Sequence, residues 1–84
     1  MRAKAGSFES GDCIITVTDS TALTIEIEST VMVQFGDQIY DTILEVLNAH
    51  DITNVHVKCQ DKGALDYTIK ARTVVALKRG GYIE

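Results

Sequence analysis

Proline is absent from this sequence, so no rigid proline-rich linker divides it. No run of eighteen or more apolar residues occurs, and nothing in it reads as a membrane span. Met1 to Ala5 holds two basic residues with no apolar stretch behind them, so it is not read as a signal peptide. Cysteine is scarce: Cys13 and Cys59 have 45 residues between them, which is neither a metal-ligand spacing nor a disulfide framework. Both are expected to be buried thiols in a reducing cytoplasm. Basic residues are also few, eight against twelve acidic ones, and only Lys78 and Arg79 adjoin. Without a basic stripe and at a net charge of −4, a nucleic-acid partner is not expected. There is no phosphate-cradling P-loop and no dinucleotide glycine fingerprint.

What remains is 84 residues, 45% hydrophobic and 24% charged, the balance of an ordinary globular domain. A chain this short buries a thin core. It has little room for a deep catalytic cleft, and a carrier, a binding module or a subunit of a larger assembly is the natural expectation.

Residues 1–11 are small and polar apart from Phe8, and read as a flexible N-terminal arm. Asp12 to Thr18 is β-branched and strand-like. Asp19, Ser20 and Thr21 form turns, and Ala22 to Glu28 alternates cleanly, with Leu23, Ile25 and Ile27 on one face. These two strands are expected to pair as an antiparallel hairpin. Ser29 or Thr30 then caps a helix in which Met32, Phe35, Ile39, Ile43, Val46 and Leu47 recur at helical spacing. Gly36 marks either a break, with the main helix starting near Asp37, or a close approach. Asn54 to Gln60 is a third strand. Ala64 to Lys78 is a second helix, ended by Gly80 and Gly81. The expected fold is α+β, a two-layer single domain over residues 1–84 in the order ββαβα. Its sheet is three-stranded and antiparallel, in the order 2-1-3, with two helices on one face.

Candidates for chemistry thin out quickly. His50 falls at a helix end and His56 on the polar side of a strand, neither with a motif partner to orient it. Cys13 and Cys59 fall on apolar faces, where cysteine acts as a small hydrophobe. Glu26 with Glu28 and Asp37 with Asp41 fit solvated faces. The segment Phe8-Glu9-Ser10-Gly11-Asp12 is different, because it offers a hydroxyl beside a permissive glycine just ahead of a strand. By composition alone it is an ordinary turn. An exposed serine there could also bear a bulky group without disturbing the core.

Glu9-Ser10-Gly11-Asp12 is similar to the attachment motif of the acyl carrier (gamma) subunits of citrate lyase. Gln34-Phe35-Gly36-Asp37 followed by Thr42-Ile43-Leu44-Glu45-Val46-Leu47 resembles that family's first helix. Asp61-Lys62-Gly63-Ala64-Leu65-Asp66 resembles the start of its second, which Ile69-Lys70-Ala71-Arg72 continues. The resemblance runs in register from about Ala5 to Arg79. It implies a non-catalytic carrier whose Ser10 is joined through a phosphodiester to 2'-(5''-phosphoribosyl)-3'-dephospho-CoA, with acetyl and citryl held on the terminal thiol. It further implies three partners: an alpha subunit that transfers the acyl group, a beta subunit that cleaves the citryl thioester, and a holo-carrier synthase that attaches the arm. The carrier of malonate decarboxylase, which has a Ser-Gly-Asp site and a related arm, is the nearest alternative. An unmodified α+β interaction module is another, and a small hydrolase using Cys13 or His56 a third.

Overall fold

A computed structural model describes residues 2–84. The elements run β1 (Ala3–Gly6), β2 (Cys13–Asp19), β3 (Thr24–Ser29), α1 (Met32–Ala49), β4 (Val55–Asp61) and α2 (Asp66–Arg79). The two-layer α+β architecture with two helices is as expected, but the sheet is not. It has four strands in the order β1-β2-β4-β3, and it is mixed. β1 and β4 flank β2 antiparallel, whereas β3 runs parallel to β4.

Two expectations about the strands are overturned. The first concerns the arm over residues 1–11, where Ala3–Gly6 forms a fourth strand and the element order becomes βββαβα. Ala-Lys-Ala-Gly has little β propensity of its own. It becomes a strand because β2 leaves an edge open to it. The second is the hairpin expected between β2 and β3. These strands do not pair, because β4 lies between them. β4 carries Val55, Val57 and Cys59, each fully buried, and takes ladder partners on both edges. β3 keeps Ile25 and Ile27 only half-buried and turns Glu26 and Glu28 to water, a composition suited to an edge. The 18-residue α1 supplies the long crossover that a parallel neighbour needs.

Strand register puts Ala5, Cys13, Ile15, Val17, Val55, Val57 and Cys59 on one face, where they form a single core with Ile39, Ile43, Val46 and Leu47 of α1 and Ile69, Ala76 and Leu77 of α2. α2 lies over β1 and β2, and α1 over β3. Helix α1 runs unbroken through the buried Gly36, where an added Cβ would come within 2.8 Å of the Met32 Cε, a contact the flexible end of that half-exposed side chain can relieve. Neither Ser29 nor Thr30 is the N-cap, which is Val31. Thr42 and Thr73, both buried, donate to the carbonyls of Gln38 and Ile69 at 2.7 Å, so their hydroxyls are satisfied.

The far face of the sheet is open. Lys58 lies between Glu26 (3.8 Å) and Glu28 (3.9 Å), and His56 approaches Glu26 at 3.5 Å. These are solvent-screened pairs of small energetic weight. Among the described residues no helix is long and apolar enough to cross a membrane.

The topology gives the molecule two unlike poles. The Ser7–Asp12 loop, the ends of β3 and β4 and the starts of both helices meet at the upper one. The 20–23 and 50–54 connections and the residues after α2 meet at the lower one.

Candidate functional site

The β1–β2 hairpin turns at the upper pole. The amide of Asp12 donates to the Glu9 carbonyl at 3.0 Å, closing a four-residue turn with Ser10 and Gly11 at its centre. Gly11 has φ +83°, while Ser10 is not among the positive-φ residues, the pattern of a type II turn. Glycine is required at position 11 for its conformation alone, since a Cβ there would meet nothing within 4 Å. At the loop's shoulder the demand is steric as well. Gly6 has φ +111°, and a Cβ on it would lie 1.8 Å from the Cys13 carbonyl oxygen.

Asp12 organises the loop from inside. Its Oδ2 accepts from the Ser7 hydroxyl at 2.7 Å and its Oδ1 from the Cys13 amide at 2.7 Å. Arg72 of α2 adds a two-pronged contact, Nε to Oδ1 at 2.9 Å and Nη2 to Oδ2 at 3.0 Å. The Arg72 hydrogen bonds first, then that from Ser7, hold the Asp12 carboxyl well below the usual carboxylate range. A second carboxylate frames the neighbouring turn. Asp61, buried at the end of β4, accepts from the Ser29 hydroxyl (2.7 Å) and from the amides of Gly63 (3.1 Å) and Ala64 (2.9 Å). The two turns are stitched together, Gly11 N–H to the Lys62 carbonyl at 2.7 Å and Lys62 N–H to the Asp12 carbonyl at 2.9 Å.

Ser10 is thus held at its base and free at its tip. The residue is exposed, and its hydroxyl makes no hydrogen bond among the described residues. Arg72, Asp61 and Ser29 escaped sequence reasoning as parts of this frame. The Asp12–Arg72 and Ser29–Asp61 contacts join residues 60 and 32 positions apart, and no local pattern announces them.

The other candidates are not brought together. Cys13 and Cys59 are free, fully buried and next to one another on the core face. The hydrogen bond with Cys13, together with burial, pushes the Cys59 thiol up. His56 projects from the opposite face of the sheet, so the sheet itself separates it from Cys13. A nucleophile–base pair from these two is sterically excluded. His50 is the exposed C-cap of α1.

Known proteins resemble this chain over nearly all its length. The family model described as malonate decarboxylase delta subunit (MdcD) matches residues 1–80. The citrate lyase acyl carrier protein of Latilactobacillus sakei is 53% identical over 79 residues, covering 93% of this chain and 78% of that one. That of Halothermothrix orenii is 46% identical, covering 92% and 83%, and that of Treponema denticola 42%, covering 92% and 88%. Among solved structures, a chain of a Pseudomonas malonate decarboxylase hetero-tetramer in complex with malonate superposes with a TM-score of 0.77. It is 18% identical, covers 93% of this chain and 81% of that chain, and shows that the fold is shared. Identities of 42–53% over more than nine-tenths of its length establish that this chain belongs to the family of citrate lyase acyl carrier proteins.

Proposed function

We propose that this chain is the acyl carrier of a citrate lyase complex and that Ser10 is where its prosthetic arm is attached. The observation that carries the reading is the Ser10 hydroxyl, exposed at the tip of a turn whose base is fixed by Asp12, Arg72 and the Lys62 carbonyl. The surroundings fit a bulky phosphodiester, because the space beside Gly11 is open and no side chain occupies the hydroxyl.

The arm proposed is the 2'-(5''-phosphoribosyl)-3'-dephospho-CoA group that the family resemblance implies. When bound, it supplies a thiol that holds an acyl chain as a thioester, chemistry that belongs to the cofactor. The protein's own work is positional. The pinned turn presents one hydroxyl to the synthase and keeps the attachment point still while the arm moves. Tethering makes each visit to a partner active site intramolecular, at effective concentrations on the order of millimolar. The partners proposed are the transferase (alpha) and lyase (beta) subunits, in the cytoplasm, with the carrier itself non-catalytic.

The family model and the structural neighbour also carry the malonate decarboxylase name, which keeps a malonyl-carrying role as the second reading. Intact-mass spectrometry of protein from its native host, with the adduct mapped by peptide, tests the first claim. An adduct on Ser10 bearing citryl supports it, malonyl selects the second reading, acetyl supports the attachment under either reading because decarboxylation of a malonyl thioester leaves acetyl, and a bare chain or an adduct elsewhere overturns both.

A further inference from the structure

Among the described residues, the exposed large apolar or aromatic side chains are unevenly placed. Phe8, Met32, Val33, Phe35, Leu65 and Tyr67 belong to the upper pole, and only Tyr40 is further down. Three of them, Phe35, Leu65 and Tyr67, border a groove of about 420 Å³ between the first turns of α1 and the Gly63–Tyr67 segment. This is within the roughly 300–1,000 Å³ range of small-molecule sites. Val31, Ile39 and Leu65 make its apolar walls, and Phe35 and Tyr67 contribute aromatic rings that are 49% and 70% exposed. Its polar feature is a pair: the Gln38 side-chain amide donates to both oxygens of Asp66, at 3.0 and 2.9 Å.

The groove adjoins the attachment turn. Lys62, whose carbonyl receives the Gly11 amide, is followed directly by Gly63 at the groove's edge. Its one charged lining residue is Asp66, so phosphates and carboxylates are repelled and an uncharged occupant is favoured. Two aromatic rings suit a flat ring system. A carboxylate has about four acceptor sites, of which Gln38 uses two, leaving Asp66 able to accept from an exocyclic amine.

We infer that this groove seats the adenine of the arm carried on Ser10, an inference that rests on the attachment reading. Of the uncharged parts of that arm, the adenine belongs to the nucleotide near the serine, whereas the pantetheine lies beyond the diphosphate. Docking the base would fix the near half of the tether against α1 and α2 and leave the thiol half to move. Less of the arm would then have to be ordered at each delivery.

The test compares apo- and holo-carrier, ¹⁵N-labelled, with intact mass recorded on the same samples. The expected result is displaced backbone amide resonances over residues 31–39 and 63–67 in the holo form. Nuclear Overhauser contacts should run from the adenine H2 and H8 to the Phe35 and Tyr67 rings. Tyr67→Ala should abolish those contacts while its mass still shows the adduct, and Tyr67 is exposed enough for the fold to survive the change. Holo protein with the adduct on Ser10 but with displacements confined to residues 7–13 overturns this inference alone. So do groove resonances that move only when a lyase subunit is added, which would make the groove a protein-docking surface. A bare mass overturns the attachment reading and this inference with it.

Discussion

The lower pole hides its large apolar side chains and the upper pole displays them. Leu23, Ile52, Tyr82 and Ile83 lie at the lower end, and each is half-buried against the core. The Tyr82 hydroxyl also donates to Asp19, and burial and that bond push it up to about 12. At the upper end, Val33 is 97% exposed and Leu65 60%. A domain of this size has few apolar side chains to spare for solvent. Under the proposed reading, the apolar surface left uncovered at the pole that bears Ser10 is available for contacts outside the fold, and the covered residues at the other end hold the fold together.

The sharpest way to break that comparison is Ser10→Ala. It should abolish the adduct entirely, by intact mass after exposure to the synthase. The melting temperature should stay within about 4 °C of wild type, since an exposed substitution is worth roughly 0.5 kcal/mol or less. If the substituted chain is still modified, the upper pole is not the site proposed for it.

The glycines at the loop's shoulder and at its tip separate scaffold from display. Gly6→Ala drives a Cβ into the Cys13 carbonyl and should cost about 3 kcal/mol, with loss of β1 amide protection in hydrogen exchange. Gly11→Ala meets open space and should cost only the left-handed backbone penalty of about 1 kcal/mol. Equal costs on chemical denaturation would show that the tip is as constrained as its shoulder.

Asp12 sharpens the comparison through pH. Its carboxyl is lowered by Arg72 and Ser7, so the stability it adds is complete above the ordinary aspartate value of about 3.9 and is lost as pH falls below that toward the lower folded value. Asp12→Asn should therefore destabilise by about 2 kcal/mol at pH 7, and the gap from wild type should narrow at pH 3. A gap independent of pH would remove the ion pair from the account.

The smallest effects lie in the poles' apolar residues. Ile52→Ala should cost roughly 1–2 kcal/mol from lost burial, whereas Val33→Ala should fall within about 0.5 kcal/mol of wild type. Thermal melts of the two variants check this, and comparable losses would mean that the upper-pole side chains are covered after all.

How much of this was legible in the sequence differs from element to element. The alternation of β3 and β4 and the 3.6-residue pattern of α1 are local, and they placed those elements within a residue or two. The Glu9–Asp12 turn was legible in part. The Ser-Gly-Asp triplet announced a turn, and the family motif singled out Ser10, which the fold leaves exposed. Periodicity could not show that Phe35 belongs to a stripe whose later members are buried while its own turn overhangs the core. Leu65, the N-cap of α2, shows the same limit. It is spaced like a core residue yet is 60% exposed.

The sequence by itself determined the type of each strand and helix from β2 onward, the absence of a metal-ligand pattern, and a serine flanked by residues that favour a turn, because all of these depend on neighbours within a few positions. Only the tertiary structure decided that four small residues at the start become a strand, that β4 inserts between β2 and β3, and that Arg72 reaches back 60 positions to fix the loop bearing Ser10. The reason is that edge pairing and buried ion contacts are set by which surfaces remain unmatched once the core has formed, and those surfaces come from residues far apart along the chain.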